Sequence, residues 1–291
     1  MYYLFRFATL VLPWMPRWLV LAVGRVIGLL AWLLANKARK QATRNMMHVL
    51  SAHVLETRAR RRRLRHTVRE MFQHNVRNYL EVCTLPSLDR ETILQHMYMD
   101  GVEHVDAALA RGKGLVLFSA HLGPFDYMVQ YAICKGYDVT IPVERLKDER
   151  MLNLMLRLRG SHGVQFLPLE GSSSMRKIVQ RLRDNHIVLI TIDRVVQGQS
   201  VEVPFFDAPA RLPIGPVLLA KRTGAALVGA FGWRVSDSRM YGECVPLSLE
   251  LTEEQRANTD YVMRAMIKKM EYFIGTHPEQ WMAFAPIWTD E

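Results

Sequence analysis

Cysteine is scarce, with three residues in a chain of 291: Cys83, Cys134 and Cys244. The set is odd and widely spaced, with no C-x-x-C pair and no Cys/His group at zinc-ligand spacing. That excludes a disulfide framework and a zinc site, and reads as buried, reduced thiols in a cytosol-facing protein. No metal is expected. No Gly-, Ser- or Pro-rich linker and no internal repeat divides the chain, so one catalytic domain with an N-terminal appendage is expected. The G-x-S-x-G nucleophile elbow is missing, which removes the usual serine hydrolase. Acids are outnumbered, 28 Asp and Glu against 38 Lys and Arg, for a net charge of +10. Such a surplus suits nucleic acid, an anionic membrane surface or an acidic carrier protein, and the placement of the charges decides between them. With 49% apolar and 23% charged residues, the composition is globular.

What is present begins with grease. Trp18 to Ala35 reads WLVLAVGRVIGLLAWLLA with Arg25 as its only charge. A helix of that length spans about 27 Å, close to the hydrocarbon thickness of a bilayer. Tyr2 to Met15 is a second apolar segment ended by Pro13 and Pro16, and Trp14, Trp18 and Trp32 suit a membrane interface. A cleaved signal peptide does not fit, because the apolar region is too long and has no A-x-A exit. Residues 1–36 therefore read as a retained membrane anchor, either one tilted span or a hairpin in one leaflet. Lys37, Arg39, Lys40 and Arg44 follow at once, and the positive-inside rule places the catalytic domain, 37–291, on the cytoplasmic face of the plasma (inner) membrane. The run Arg58-Ala59-Arg60-Arg61-Arg62-Arg63-Leu64-Arg65 opens a helix with Leu64, Val68, Phe72, Val76 and Leu80 recurring every four positions. Past an anchor, such cations attract anionic lipid head groups at about 1 kcal/mol each. No nucleic-acid motif accompanies them, and nucleic acid is rejected as a partner.

From residue 103 helix and strand alternate. Val105–Arg111 predicts a helix, Leu115–Ser119 a short buried strand, and Phe125–Cys134 a helix with Pro124 at its first position. His121 thus falls at the carboxyl end of a strand, where open α/β sheets hold ligands. Asp126 lies in the first turn of the next helix, and the turn between them can fold its carboxylate onto the imidazole. A hydroxyl is a poor nucleophile at neutral pH, and an imidazole base takes its proton as it attacks a thioester. A carboxylate fixes the imidazole tautomer and stabilises the imidazolium. Backbone N–H groups at Gly123 or the helix start are candidates for an oxyanion hole. Alone the pair is weak: about one His/acid pair at this spacing arises by chance in such a composition.

The context is stronger. Gly112 to Asp126 (GKGLVLFSAHLGPFD) resembles the first motif of the bacterial lysophospholipid acyltransferase-like superfamily, closest to the branch of lipid A late acyltransferases and phosphatidylinositol mannoside acyltransferases. Val143-Glu144-Arg145-Leu146-Lys147, with Glu149 and Arg150, is similar to the mannoside enzymes' second motif, and Leu158-Arg159-Gly160 falls where that branch carries an Arg. Asp193-Arg194, Val203-Pro204-Phe205-Phe206 and Leu212-Pro213-Ile214-Gly215-Pro216 fit the third and fourth motifs. Pro278-Glu279-Gln280-Trp281 and Trp288 look like the closing segment. The resemblance implies His121 as base, Asp126 as its partner, and Glu144, Arg145, Arg159, Asp193, Arg194, Phe205 and Gly215 as substrate-binding positions. It implies a membrane-bound O-acyltransferase with no bound cofactor, taking its acyl group from acyl-CoA or an acyl-carrier protein to a glycolipid hydroxyl. Val195 stands where relatives commonly carry an acid, and Asp207 where they carry Gly. The Phe-Pro-Glu-Gly-Thr block of glycerol-phosphate acyltransferases is absent, against a simple glycerol-phosphate acceptor. A mannoside-type acceptor leads and a lipid A-type acceptor follows. A His/Asp thioester hydrolase and a non-catalytic membrane-associated lipid- or carrier-binding protein stay open.

The rest reads as scaffold. Ser172-Ser173-Ser174 predict a cap for a helix through Arg183, and Ile187–Ile192 a strand that Asp193 ends. Residues 213–223 and 253–275 predict helices, the latter with Val262, Met266, Met270 and Phe273 on one side, and 226–231 and 243–247 predict late strands. The expected architecture is α/β, a mixed and mostly parallel central sheet flanked by helices.

Overall fold

A computed structural model describes residues 2–50, 57–145, 148–169, 171–195 and 198–289. Leu146 and Lys147 of the second motif lie outside the described residues, as does the Ser172 side chain. Seven strands form one sheet: β1 (Met97–Asp100), β2 (Leu115–Ser119), β3 (Val139–Val143), β4 (Gln165–Pro168), β5 (Ile187–Thr191), β8 (Ala226–Arg234) and β9 (Met240–Pro246), in the order β1-β9-β8-β2-β5-β3-β4. Only the β8–β9 pairing is antiparallel, so the sheet is mixed and mostly parallel as expected. A separate hairpin joins β6 (Ser200–Phe205) to β7 (Ala208–Pro213).

Strand β2 is buried at every position, which is why it reads as an unbroken apolar run rather than an alternation. Its alternate side chains feed two cores. Val116 and Phe118 pack with α9 (Gly171–Arg183), α10 (Gly215–Thr223) and α12 (Thr259–Thr276). Leu115 and Leu117 pack with α6 (Val102–Leu109), α7 (Phe125–Cys134) and α8 (Glu149–Arg159). Helices thus cover both faces.

Several boundaries move. Pro124 is the residue before α7 rather than its first. Residues 253–275 hold two helices, α11 (Glu253–Ala257) and α12, because the Asn258 side chain accepts from Tyr261 N and starts a new helix. The serines expected ahead of α9 fall inside its first turn, where Ser174 Oγ donates to Pro168 O at 3.0 Å. The three cysteines are buried and free.

The N-terminal segments are α1 (Tyr2–Val11), a 3-10 turn (Leu12–Trp14), α2 (Arg17–Leu34), α3 (Asn36–Val49) and α4 (Arg58–Thr84). By length and composition α2 is apolar enough to cross a membrane. It runs antiparallel to α4: Gly24 faces Leu80, Gly28 faces Gln73, and Arg65 stacks on the Trp32 ring at 5.2 Å. A Cβ on Gly28 would stand 2.6 Å from Gln73 Cα, so the two helices touch backbone to backbone there.

Candidate active site

Strands β2 and β5 are parallel neighbours whose register ends on Ser119 opposite Thr191. Two residues further along each strand come His121 and Asp193, and the shared register carries them face to face. His121 Nδ1 lies 2.9 Å from Asp193 Oδ1, and the His121 backbone N–H donates to Asp193 Oδ2 at 3.1 Å. Trp281 Nε1 donates to the same Oδ2 at 2.9 Å. Burial alone would raise the Asp193 pKa. The His121 charge and the hydrogen bonds from the His121 ring, Trp281 and the His121 backbone outweigh it and hold the group down at about 2. An ionised carboxylate only accepts, so Nδ1 carries a proton, and in the neutral ring Nε2 is the lone pair. The His121 side chain is 21% exposed and that of Asp193 4%, so the imidazole reaches the surface and its carboxylate partner does not.

Asp126 does something else. Its Oδ1 is 3.0 Å from Arg159 Nε, in an ion pair between α7 and the last residue of α8. Neither a hydrogen bond nor an ion pair joins Asp126 to His121, although the imidazole is near enough for its charge to act on the carboxyl. Burial raises the Asp126 pKa, with Arg159 and then His121 opposing. Its Oδ2 is buried without a hydrogen-bond partner. The expected fold-back is not made: the Asp126 carboxylate is engaged by Arg159 of α8, and the imidazole from the neighbouring strand.

The loop holding His121 is fastened from behind. Met282 N donates to His121 O at 2.9 Å, Gly123 N to Gln280 O at 2.9 Å, and Asn78 Nδ2 to Gly123 O at 2.9 Å. Gly123 sits at φ +57° and a Cβ there would lie 2.3 Å from Gly232 O, so only glycine fits. Since its N–H is taken by Gln280, Gly123 is no oxyanion donor, and that expectation is corrected. The start of α7 remains the candidate.

The other predicted positions scatter. Glu144 and Arg145 are exposed just past β3, where Arg145 pairs with Glu149 at 2.5 Å. Arg194 is exposed beside Asp193, and Gly215 opens α10. None of the four has a hydrogen bond or ion pair with His121 or Asp193. Phe205 is fully buried, stacked on Trp288 at 5.5 Å and edge-on to Trp281 at 6.0 Å. It is core, and it touches the site only by backing the tryptophan that holds Asp193. Sequence reasoning gave Trp281, Gln280 and Asn78 no role. The usable signal was a buried Trp, whose indole N–H needs an acceptor.

Between the sheet and α6–α7 lies a small apolar cavity of about 40 Å³. Leu117, Met128, Val129, Ile187, Leu189 and Ala230 are among its walls.

Two comparisons with known proteins bear on this arrangement. The family profile of bacterial lipid A biosynthesis acyltransferases matches residues 1–290. The phosphatidylinositol mannoside acyltransferase of Mycobacterium tuberculosis (strain H37Rv) is 32% identical over 216 residues, 73% of this chain and 67% of the relative. The protein of the same name from Mycolicibacterium smegmatis is 28% identical over 226 residues, 76% and 72% of the two chains.

Proposed function

Because the chain belongs to the bacterial lipid A biosynthesis acyltransferase family, and is therefore an acyltransferase, we propose that it is membrane-bound and moves a fatty acyl group from an acyl-CoA or acyl-carrier thioester to a glycolipid hydroxyl, with His121 as general base. The observation that carries this reading is the His121–Asp193 contact at 2.9 Å, at the carboxyl edge of the sheet. The acceptor hydroxyl gives its proton to Nε2 as its oxygen attacks the thioester carbonyl. The tetrahedral intermediate collapses, the C–S bond breaks, and the leaving thiolate takes the proton back from the imidazolium. Asp193 stabilises that imidazolium and holds the ring in the working tautomer. Asp126 has the second rank, as the group that fixes Arg159 at the rim. Arg159, with Glu144, Arg145 and Arg194, then meets the polar parts of acceptor and donor.

A mannoside-type glycolipid is the acceptor we favour, on the likeness to the two mycobacterial proteins, and a lipid A-type acceptor is the alternative. The catalytic domain faces the cytoplasm, where thioester donors are made. The test is lipid profiling of cells lacking the protein, complemented with wild type or His121→Ala. A glycolipid that loses one acyl chain and regains it only with wild type is expected. An unchanged profile with well-expressed protein refutes the reading.

A further inference from the structure

We propose that α1 and α2 form an in-plane interface for an anionic lipid leaflet, lying along it beside α4 instead of crossing it. The inference deepens the membrane-bound reading above and rests on it, but not on the acyl-transfer chemistry.

The two faces of α2 carry the argument. Gly24, Gly28 and Trp32 recur every four residues and turn toward α4, where the glycines let the helices approach. Leu30 and Leu34, on the opposite face, are 50% and 77% exposed. On the segment before it, Phe7 and Leu10 of α1 are exposed and Trp14 is 89% exposed, and Trp18 at the start of α2 is 69% exposed. These side chains have no protein to cover them, and tryptophan is the residue that membrane interfaces favour.

A spanning α2 would not travel alone. The stretch of α4 alongside it, from Arg65 opposite Trp32 to Leu80 opposite Gly24, carries Arg65, Arg69, Glu70 and Arg77. Crossing would drag all four charges into hydrocarbon, where each is strongly disfavoured. Both charges within α2 are also committed to the catalytic domain: Arg17 Nη2 donates to Asp237 O at 2.7 Å and Arg25 Nη2 pairs with Asp237 Oδ2 at 2.6 Å, in the turn after β8. The helix is therefore part of the folded body, with a greasy outer face.

Charge selects the kind of lipid. The Trp32–Arg65 contact sets the carboxyl end of α2 beside the start of α4, where Arg61, Arg62 and Arg63 are exposed, and α3 adds exposed Lys37 and Lys40 at the same end. An apolar stripe ending in a cluster of cations matches a leaflet of anionic head groups.

The experiment uses the full chain with an epitope tag at each end, in inverted inner-membrane vesicles and in spheroplasts. Added protease should remove both tags from inverted vesicles and neither from spheroplasts. One tag protected in each preparation means that α2 spans, which overturns the proposal and leaves acyl transfer untouched. Chain that leaves the membrane fraction entirely overturns both the proposal and the membrane-bound reading. In flotation with purified protein, wild type should bind vesicles containing phosphatidylglycerol far more tightly than phosphatidylcholine vesicles. Arg61→Gln/Arg62→Gln/Arg63→Gln should weaken the anionic binding about 150-fold, at about 0.7 decade per charge. Equal binding of wild type to both vesicle types removes the anionic leaflet from the proposal and refutes it.

Discussion

Two centres in this protein set a histidine near an ionised carboxylate, and only one of them has a free working face. At the sheet edge, Asp193 is held at about 2 and presents His121 to the outside. Behind the loop, Glu81 of α4 is also held at about 2: burial raises it, but the Arg234 and Arg77 guanidiniums win. Arg234 Nη2 contacts both Glu81 and Asn78, Arg77 Nε donates to Glu81 at 2.8 Å, and Arg77 also pairs with Asp237 at 3.1 Å. His74 sits among them with its pKa pushed to about 3, by burial first and then by Arg234 and Arg77. A shifted pKa therefore marks both places equally. What separates them is that every charge of the second centre faces another charge inside the fold, whereas the first leaves Nε2 facing out at the carboxyl edge. Asn78 links the two by donating to Gly123 O, and Gln280 links them again by exchanging two hydrogen bonds with the Arg234 backbone while its own carbonyl accepts from Gly123 N.

The sharpest way to break this contrast is to remove each histidine. His121→Ala should lower the acyl-transfer rate by roughly two to four decades with little change in melting temperature. His74→Leu should leave the rate per folded molecule near wild type, measured with the same donor and acceptor. Equal losses from both would erase the distinction.

Glu81→Gln strips Arg234 of its counter-charge and should cost about 3–5 kcal/mol of stability. That is a fall of roughly 10 °C in Tm by scanning calorimetry, while molecules that stay folded keep most of their turnover. The pH dependence sharpens the comparison further. His74 titrates near 6.5 unfolded and about 3 folded, so the unfolded chain binds the proton first and stability falls as pH drops from 6.5 toward 3. Glu81 is shifted down as an acid. Its stabilisation is complete above about 4.5 and is lost only as pH falls toward 2. Urea unfolding at pH 7 and pH 4.5 should show a smaller pH penalty in His74→Leu than in wild type.

Smaller effects test the supporting structure. Gly28→Leu, which drives a side chain into the Gln73 backbone, should cost about 1–3 kcal/mol. Asp207→Gly should stabilise by no more than about 1 kcal/mol, because the two-residue turn between β6 and β7 puts Phe206 at φ +49° and Asp207 at φ +60°. That turn also explains why Asp can stand at a position where relatives carry Gly: a short polar side chain is among the few that tolerate such a backbone.

The sequence made the central strands legible wherever burial produced an unbroken apolar run. Leu115–Ser119 and Phe125–Cys134 lie where they were expected, and Ile187–Ile192 is one residue shorter. The edge strands β1 and β4 were not visible, because four residues of mixed polarity have no periodicity to read. His121 was legible from its place after β2. The carboxylate that hydrogen-bonds its ring differs from the one expected, because nearness along the chain stood in for nearness across the sheet. Asp126 is five residues away and Asp193 seventy-two, yet the β2–β5 register makes the distant one the neighbour. Trp281 and Asn78 were invisible for the same reason: their bonds join segments that only the completed fold brings together.

The direct measurement is the pair of variants Asp193→Asn and Asp126→Asn, assayed side by side for acyl transfer with melting temperatures recorded. Asparagine at 193 keeps the shape but can hand a proton to Nδ1, forcing the wrong tautomer, and should cost roughly three to four decades in kcat. At 126 the loss should be at least ten-fold smaller and should appear mainly in KM, through a loosened Arg159. The reverse order, with Asp126→Asn the crippled enzyme and Asp193→Asn close to wild type, would contradict the assignment of Asp193 as the carboxylate that works with His121.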